Sequence, residues 1–299
     1  MSLVIVGSVA FDTIETPFGR RERIVGGSGT YCSLAASYFT RPRLVGVVGR
    51  DFPRRVVDFL KSRHIDLRGL RVRSGKTFRW EGCYAEDPNL RTTVRTELNV
   101  FKNFRPKVPA AYAGADIVYL ANIDPDGHDF ILRQFRKPKV LAMDTIRFWI
   151  ETKREAIRRE LGRVDVLFAN DEEARLLSGE QNLIAAGHAL VGCGPQVVVL
   201  KKGEHGALVF GRSFLFGVLA HPCPHVVDPT GAGDAFAGGF LGYLDRAGSV
   251  ARRDLRRAAV YGSVLASFVI EDFGIERFRT LDEAAVEGRF QEFRRLIAF

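Results

Sequence analysis

Short runs of apolar, mostly β-branched residues recur along the chain without the polar alternation of a half-exposed strand. Such runs predict strands that are buried on both faces, as in a parallel sheet. The predicted strands are residues 3–6, 44–48, 117–120, 140–143, 164–168 and 197–200. Segments with helical spacing lie between them, at residues 30–39, 53–63, 148–161, 171–177 and 183–191. Alternating strands and helices predict a doubly wound, three-layer α/β sandwich with a central, mostly parallel sheet.

Two segments break this alternation. Residues 77–84 have a period of two, with Phe78, Trp80 and Tyr84 on one face, and residues 92–100 also alternate, with Val94, Leu98 and Val100 on one face. The turn residues 87–89 between them predict an antiparallel hairpin. Residues 13–25 add a second strand pair. We expect a small β lid that excludes water from a reaction site, with a hairpin packed on the core edge or in a dimer contact as the alternatives.

The C-terminal part of the sequence predicts helices at residues 252–270 and 281–297. The chain shows no repeat, low-complexity tract or evident linker, so we expect a single domain over residues 1–299. The lid strands would fall within about 13–25 and 77–100 of that domain.

Composition narrows the class of protein. No apolar run reaches the ~18 residues that span a bilayer, and the first residues resemble a strand rather than a signal peptide. The four cysteines are scattered without a CxxC pair, which favours reduced thiols and a cytoplasmic protein. The net charge is +9, but the basic residues are spread over several predicted helices without interleaved aromatic residues. We therefore expect no nucleic-acid partner and no membrane contact.

The most informative stretch is residues 226–236, where a strand end, an Asp-Pro break and two glycines precede a helical pattern. The first N–H groups of a helix lack intrahelical partners and attract anions. Asp234 stands in the first turn beside them, which suits phosphoryl transfer. Without further information, a plain helix start is an equally good interpretation. Because a helix N-terminus favours a charged carboxylate, we expect the pKa of Asp234 to be lowered.

Residues 228–236, Asp-Pro-Thr-Gly-Ala-Gly-Asp-Ala-Phe, closely resemble the C-terminal signature of the ribokinase family, the PfkB-type carbohydrate and nucleoside kinases. The resemblance implies a ribokinase-like fold and an ATP-dependent kinase. Asp234 would accept the proton of an acceptor hydroxymethyl group, and the N–H groups of Gly231, Ala232 and Gly233 would hold the phosphoryl group. The acceptor is expected to be a sugar or polyol, with an adenosine-like nucleoside as the alternative and a non-catalytic binding protein as a remote one.

The N-terminal half is similar to the acceptor-binding motifs of that family. Asp12, just past the first strand, would bind acceptor hydroxyls, and Gly26 and Gly27 would approach the acceptor closely. Many sugar kinases of the family have Asn where this chain has Tyr31, a larger residue able to stack on a ring. Tyr31, Phe78 and Trp80 therefore favour a nucleoside slightly. Asn99, expected on the lid, is a further candidate acceptor contact.

The C-terminal half is similar to the nucleotide motifs. Asn170 and Glu173 match the family's magnesium and phosphate motif, in which Glu173 would act on Mg²⁺ through water. On their own they also fit a helix-capping box. Lys202, Gly203 and Thr230 are candidate nucleotide contacts. Asp228 resembles a position that helps to build a monovalent-cation site in some members, which leaves open whether K⁺ takes part. A homodimer formed through the lid is a further expectation.

Competing nucleotide motifs are absent from the sequence. Residues 74–77, Ser-Gly-Lys-Thr, match the end of a Walker A loop, but Leu70 stands where that loop needs its first glycine. No GxGxxG follows the first strand, and neither HExxH nor GxSxG occurs.

Overall fold

The computed structural model describes residues 1–296 and contains thirteen strands and ten α-helices in that range. The strands are β1 (Leu3–Gly7), β2 (Ala10–Thr16), β3 (Gly19–Gly26), β4 (Arg43–Gly49), β5 (Asp66–Arg73), β6 (Phe78–Tyr84), β7 (Arg91–Glu97), β8 (Ile117–Ala121), β9 (Val140–Asp144), β10 (Val166–Asn170), β11 (Val197–Lys201), β12 (Ala207–Gly211) and β13 (Phe214–Val218). The helices are α1 (Ser28–Ala36), α2 (Arg54–Ser62), α3 (His128–Leu132), α4 (Arg147–Leu161), α5 (Asp171–Ser178), α6 (Leu183–Gly192), α7 (Ala232–Ala247), α8 (Arg252–Val269), α9 (Glu276–Thr280) and α10 (Glu283–Leu296).

Nine strands form the central sheet in the order β13-β12-β11-β10-β9-β8-β1-β4-β5. The seven strands from β11 to β5 run parallel, and β12 and β13 complete one edge as an antiparallel pair. All six strands predicted from apolar runs lie in the parallel part. The predicted α/β architecture is therefore confirmed.

Helices cover both faces of this sheet. Alternate residues of each parallel strand point to opposite faces, so Ile5 packs in one core cluster while Val4 and Val6 pack in the other. Residues of α1, α2, α7, α8 and α10 contribute to the first cluster, and residues of α3, α4, α5 and α6 contribute to the second. A sheet buried on both faces explains why the sequence shows continuous apolar runs.

The lid is a separate four-stranded sheet in the order β3-β2-β6-β7. Strands β2 and β6 run parallel, and each is flanked by an antiparallel neighbour. The apolar face predicted for residues 92–100 is wrong, because β7 ends at Glu97, and Val94 and Leu98 are 61% and 38% exposed. Val100 lies beyond the strand, in a 3-10 turn.

Three strands of the main sheet escaped the sequence analysis. Strand β5 carries four arginine or aspartate side chains among its eight residues and lies at one edge, where polar residues are tolerated. Strands β12 and β13 form a hairpin at the opposite edge. The predicted C-terminal helix corresponds to α10, and its last predicted residue, Ile297, lies outside the described residues.

Two further features bear on the class of protein. Within residues 1–296, no helix combines the length and the apolar character that crossing a membrane requires. The four cysteines are free thiols rather than disulfides.

Helices α1 and α7 pack unusually close together through glycines. A Cβ atom built on Gly238 would lie 2.3 Å from the carbonyl oxygen of Cys32, and one on Gly242 would lie 2.8 Å from the Cα atom of Ala36. Only glycine allows this approach of two helix backbones. The packing fixes the N-terminus of α7 relative to the loop that precedes α1.

We expect Gly238→Ala to lower the free energy of unfolding by about 1–3 kcal/mol, because its methyl group would overlap the Cys32 carbonyl. Gly288→Ala is the matched control, since Gly288 lies in α10 with no heavy atom within 4 Å of its built Cβ atom. There the better helix propensity of alanine should stabilise by roughly 0.5–1 kcal/mol. Urea denaturation of both variants measures the difference, and equal effects would contradict the close packing.

Candidate active site

Polar and charged side chains gather at the carboxyl ends of the parallel strands. Strand β9 ends at Asp144, β10 at Asn170 and β11 at Lys201, and these three strands are neighbours in the sheet. Open α/β sheets bind ligands at this edge. The N-terminus of α7 faces the same place, because a Cβ atom built on Gly233 would lie 3.1 Å from Nζ of Lys201.

Residues Gly231 to Asp234 form what we call the anion turn. Gly231 caps α7 in the left-handed region, at φ 80°. The Ala232 N–H donates to the Pro229 carbonyl (3.2 Å), so it is engaged within the turn and is not free for a ligand as the sequence analysis expected. The N–H groups of Gly231, Gly233 and Asp234 have no acceptor among residues 1–296. Three unpaired donors at a helix start are an arrangement that attracts anions.

The ring of Tyr31 packs against the backbone of the anion turn. Its side chain is buried, and a Cβ atom built on Gly231 would lie 2.5 Å from three atoms of the ring. Gly231 therefore covers the ring. Tyr31 cannot stack on an acceptor ring, contrary to the expectation from the sequence. Its hydroxyl is buried as well and has no hydrogen-bond partner in the described part of the chain.

Asp234 behaves differently from the expectation. Burial and the neighbouring Asp144 carboxylate raise its pKa to about 7, although Lys201 and Arg91 act in the opposite direction. The lowered pKa predicted from the helix N-terminus is therefore wrong, because removal from water outweighs the attraction to the helix end. A carboxylate with a pKa near neutrality is a better proton acceptor than an ordinary aspartate.

An ion pair between Asp144 and Lys201 lies next to Asp234. The Lys201 ammonium donates to Oδ2 of Asp144 at 2.6 Å, and both side chains are largely buried. The Tyr119 hydroxyl (3.3 Å) and the Thr145 N–H (2.8 Å) also donate to Asp144. Burial disfavours the charge of Lys201, but Asp144 and Glu173 outweigh it and raise the pKa of the ammonium.

Asn170 and Glu173 form a complete capping box at the start of α5. Oδ1 of Asn170 accepts from the Glu173 N–H (2.7 Å), and Oε2 of Glu173 accepts from the Asn170 N–H (2.8 Å). Burial and Asp144 raise the pKa of Glu173 to about 7. The capping interpretation is thus realised, and the carboxyl group still lies beside Asp144 and Lys201.

The side chains at this edge of the sheet fit a magnesium ion that is bound mainly through the phosphates of a nucleotide. No group of three or more His, Cys, Asp or Glu side chains able to hold a metal occurs within residues 1–296. Mg²⁺ keeps several waters and is commonly bound through one or two carboxylates plus substrate phosphates. Glu173 is the carboxylate that the sequence analysis expects to act on Mg²⁺ through water.

The acceptor motifs lie on the opposite side of the anion turn. Asp12 is buried, and a Cβ atom built on Gly26 would lie 1.8 Å from its Oδ2 atom, so only glycine fits there. Gly27 has φ 94° and approaches the Ser8 carbonyl. Burial, Asp228 and Asp234 raise the pKa of Asp12 to about 8. The raised pKa favours the protonated carboxyl group, which can both donate and accept hydrogen bonds.

Asp228 and Thr230 connect the anion turn to its surroundings. The two carboxylate oxygens of Asp228 accept from the Thr230 and Gly274 N–H groups, each at 2.9 Å. The Thr230 hydroxyl donates to the hydroxyl of Tyr84 on the lid (3.1 Å). Any monovalent cation at Asp228 would share these oxygens with two backbone amides.

The structure gives less support to three other candidate site residues. Asn99 lies beyond the lid strand, and its amide donates to the Thr77 carbonyl (3.0 Å), so it is left out of the proposed site. Lys202 and Gly203 begin the loop after β11, and no hydrogen bond or ion pair from the Lys202 side chain is made within residues 1–296. This loop meets the lid, since Nδ2 of Asn89 donates to Oε2 of Glu204 at 3.2 Å.

Two charged residues escaped the sequence analysis. Lys201 is the last residue of β11, and strand position rather than any motif directs it to the site. Arg91 opens β7, lies 5.5 Å from the centre of the Trp80 ring, and contributes positive charge to Asp12, Glu173 and Asp234. No sequence signal marks Arg91, because it depends on how the hairpin folds over the site.

Comparison with known proteins gives consistent results. The model of the pfkB family carbohydrate kinases matches residues 2–278. The cytidine kinase of Thermococcus kodakarensis is 32% identical over 251 residues, which cover 82% of this chain and 89% of that protein. The nucleoside kinase of Methanothermobacter thermautotrophicus is 28% identical over 295 residues, covering 92% of this chain and 91% of that one.

A solved structure has the same fold. A candidate ribokinase II from E. coli, in complex with ATP and Mg²⁺, superimposes with a TM-score of 0.78 over 98% of this chain and 100% of that chain. The two sequences are 18% identical, so this likeness establishes the ribokinase-like architecture of a central sheet and a β lid.

Proposed function

The chain belongs to the pfkB family of carbohydrate kinases, and we propose that it transfers the γ-phosphoryl group of ATP to the hydroxymethyl group of a nucleoside. ATP-dependent phosphorylation of hydroxyl groups is the activity of this family. The sequence analysis placed a sugar or polyol first and a nucleoside second. The similarity to cytidine and nucleoside kinases supports the reverse order.

The register of the lid carries this proposal. Asp12 on β2 and Trp80 on β6 are direct partners in a parallel ladder, so their side chains stand together on the same face of the lid. A ribose bound by Asp12 would bring its base towards the half-buried indole of Trp80. Phe78 is not available for the same task, because it stacks on Phe101 in the core, with ring centroids 5.4 Å apart.

Each residue then has a proposed task in the reaction. Asp12, Gly26 and Gly27 bind the acceptor, and the buried Tyr31 ring packs against the anion turn, whose free N–H groups hold the phosphoryl group. Asn170, Lys202, Gly203 and Thr230 line the nucleotide side. Magnesium, when bound with ATP and supported by Glu173, neutralises phosphate charge. Asp234 accepts the hydroxyl proton. A K⁺ requirement at Asp228 and a dimer formed through the lid stay predictions of the family resemblance.

A panel of acceptors tests the substrate class. With Mg²⁺ and ATP, we expect ADP formation with cytidine, uridine, adenosine or inosine at a kcat/KM about 100-fold or more above that with free ribose, fructose or glycerol, because a base adds a specific contact surface. Runs with and without K⁺ test the cation. Preference for a sugar would contradict the nucleoside proposal, and ATP binding without turnover of any acceptor would favour a non-catalytic relative.

Replacement of Asp234, the proposed proton acceptor, tests its role in the reaction. Asp234→Asn should lower kcat by about 10²-fold or more, because the isosteric amide cannot accept the hydroxyl proton. ATP binding by calorimetry and the melting temperature should stay close to those of the unchanged protein. The surface variant Asp58→Asn on α2 is the matched control. Full activity in Asp234→Asn would rule out the assignment.

The raised pKa of Asp234 predicts the pH dependence. The reaction needs the ionised carboxylate, and the pKa of this group is about 7 rather than its usual 3.8, so activity should be present above pH 7 and decline as the pH falls through that value. We expect kcat/KM to fall about tenfold per pH unit on the acid side. A profile that stays flat down to pH 5 would show that Asp234 ionises normally.

A further inference from the structure

Lys201 occupies a position that the acceptor and nucleotide motifs do not account for. A Cβ atom built on Gly233 would lie 3.1 Å from its Nζ atom and 3.7 Å from Cδ and Cε. The ammonium group therefore lies directly against the backbone of the anion turn. The free N–H of Gly233 and the Lys201 cation are thus next to each other at one spot.

We propose that Lys201 is a catalytic residue whose ammonium group contacts the phosphoryl group while it is transferred, and that Asp144 is a positioning residue that holds it there. This inference rests on the proposed function of the anion turn. It goes beyond the motifs, which directed attention to the neighbouring Lys202.

The ion pair with Asp144 keeps the lysine at the turn. Asp144 ends β9 and Lys201 ends β11, so their 2.6 Å contact reaches across the end of the intervening strand β10. The side chains are 5% and 16% exposed. Asp144 is itself fixed by the Thr145 N–H and the Tyr119 hydroxyl. The lysine is therefore restrained before any substrate binds, which is the preorganisation that electrostatic catalysis requires.

The local charge balance explains why a cation is needed here. Asp144, Glu173 and Asp234 all lie close enough to Lys201 to influence its charge. A buried ion pair alone contributes little to stability, because desolvation of the two charges offsets their attraction. A phosphoryl group entering a site with three carboxyl groups meets repulsion. The ammonium group reduces that repulsion at the position where the N–H donors converge.

The transfer step balances without a proton from the lysine. The acceptor oxygen forms a bond to the γ-phosphorus, and the bond from that phosphorus to the bridging oxygen breaks, leaving its electron pair on ADP. The hydroxyl proton passes to the Asp234 carboxylate. Lys201 stays protonated throughout and supplies only charge. It also keeps Asp234 more acidic than burial alone would make it.

Substitution of the pair tests the proposal. In the full chain, Lys201→Met should lower kcat about 10²-fold or more, as expected for a lost contact to transition-state charge, while KM for cytidine changes less than about threefold. The acid limb of the pH profile should also move to higher pH, since the loss of Lys201 leaves Arg91 to offset the repulsion between Asp144 and Asp234. Lys107→Met, at an exposed position, is the matched control.

A second variant separates catalysis from folding. Lys201→Met alone leaves Asp144 buried without its partner, so Lys201→Met/Asp144→Asn removes both charges and keeps the volume. A folded double variant with the same loss of kcat supports the proposal, and one that retains kcat within about threefold overturns it. Asp144→Asn alone, which keeps the cation but not its anchor, should lower kcat by about tenfold; unchanged kcat and pH limb would overturn the role of Asp144.

Two further controls are a variant of Lys202 and an assay without an added acceptor. Lys202→Met should lower kcat at least about tenfold less than Lys201→Met, and equal losses would contradict the assignment. All variants are assayed with cytidine and also as ADP formation without an added acceptor. If the unchanged protein rejects all four nucleosides, the nucleoside proposal fails, while slow transfer to water still decides the role of Lys201.

Discussion

The concentration of carboxyl groups at one edge of the sheet is the constraint that the site depends on. Asp144 and Glu173 are buried at this edge beside the half-buried Asp234, and buried Asp12 faces Asp234 from the lid strand β2. Burial, together with repulsion from neighbouring carboxylates, raises the pKa values of Asp12, Glu173 and Asp234 to about 7 or 8. Asp144 is matched by Lys201, and Glu173 by the capping N–H of Asn170. The site therefore holds acids at the margin of ionisation, which suits proton acceptance near neutral pH.

The geometry of that edge is set by helix packing some distance below it. Glycines on α7 let it approach α1 closely, and Tyr31 on α1 fills the space directly under Gly231. Because α1 begins at the loop that contacts Asp12, the acceptor side and the anion turn are parts of one rigid unit. Within residues 1–296, the buried hydroxyls of Thr30, Tyr31 and Ser33 on α1 have no hydrogen-bond partner.

The sequence predicted the parallel part of the sheet and the motif residues because both leave local signals, namely apolar runs and glycine turns. It missed strand β5, whose arginine and aspartate side chains interrupt any apolar run, and the edge hairpin β12–β13, whose last strand alternates exposed and more buried positions. The sequence analysis selected Lys202 rather than Lys201, because a motif marks only a stretch of residues. The alternation of side chains in β11 decides which lysine faces the site. The sequence analysis also misjudged the pKa of Asp234, since burial depends on the whole fold rather than on the first turn of a helix.

The lid touches both halves of the cleft. Tyr84 meets Thr230 beside the anion turn, and Asn89 at the tip of the hairpin meets Glu204 and lies so close to Gly203 that a Cβ atom there would be 2.1 Å from its side-chain oxygen. Both contacts belong to the same hairpin, so the lid cannot leave one side without leaving the other. A hinge motion of this hairpin would have to break both contacts together, and the release of both products of a transfer reaction would then depend on the strength of these two small contacts.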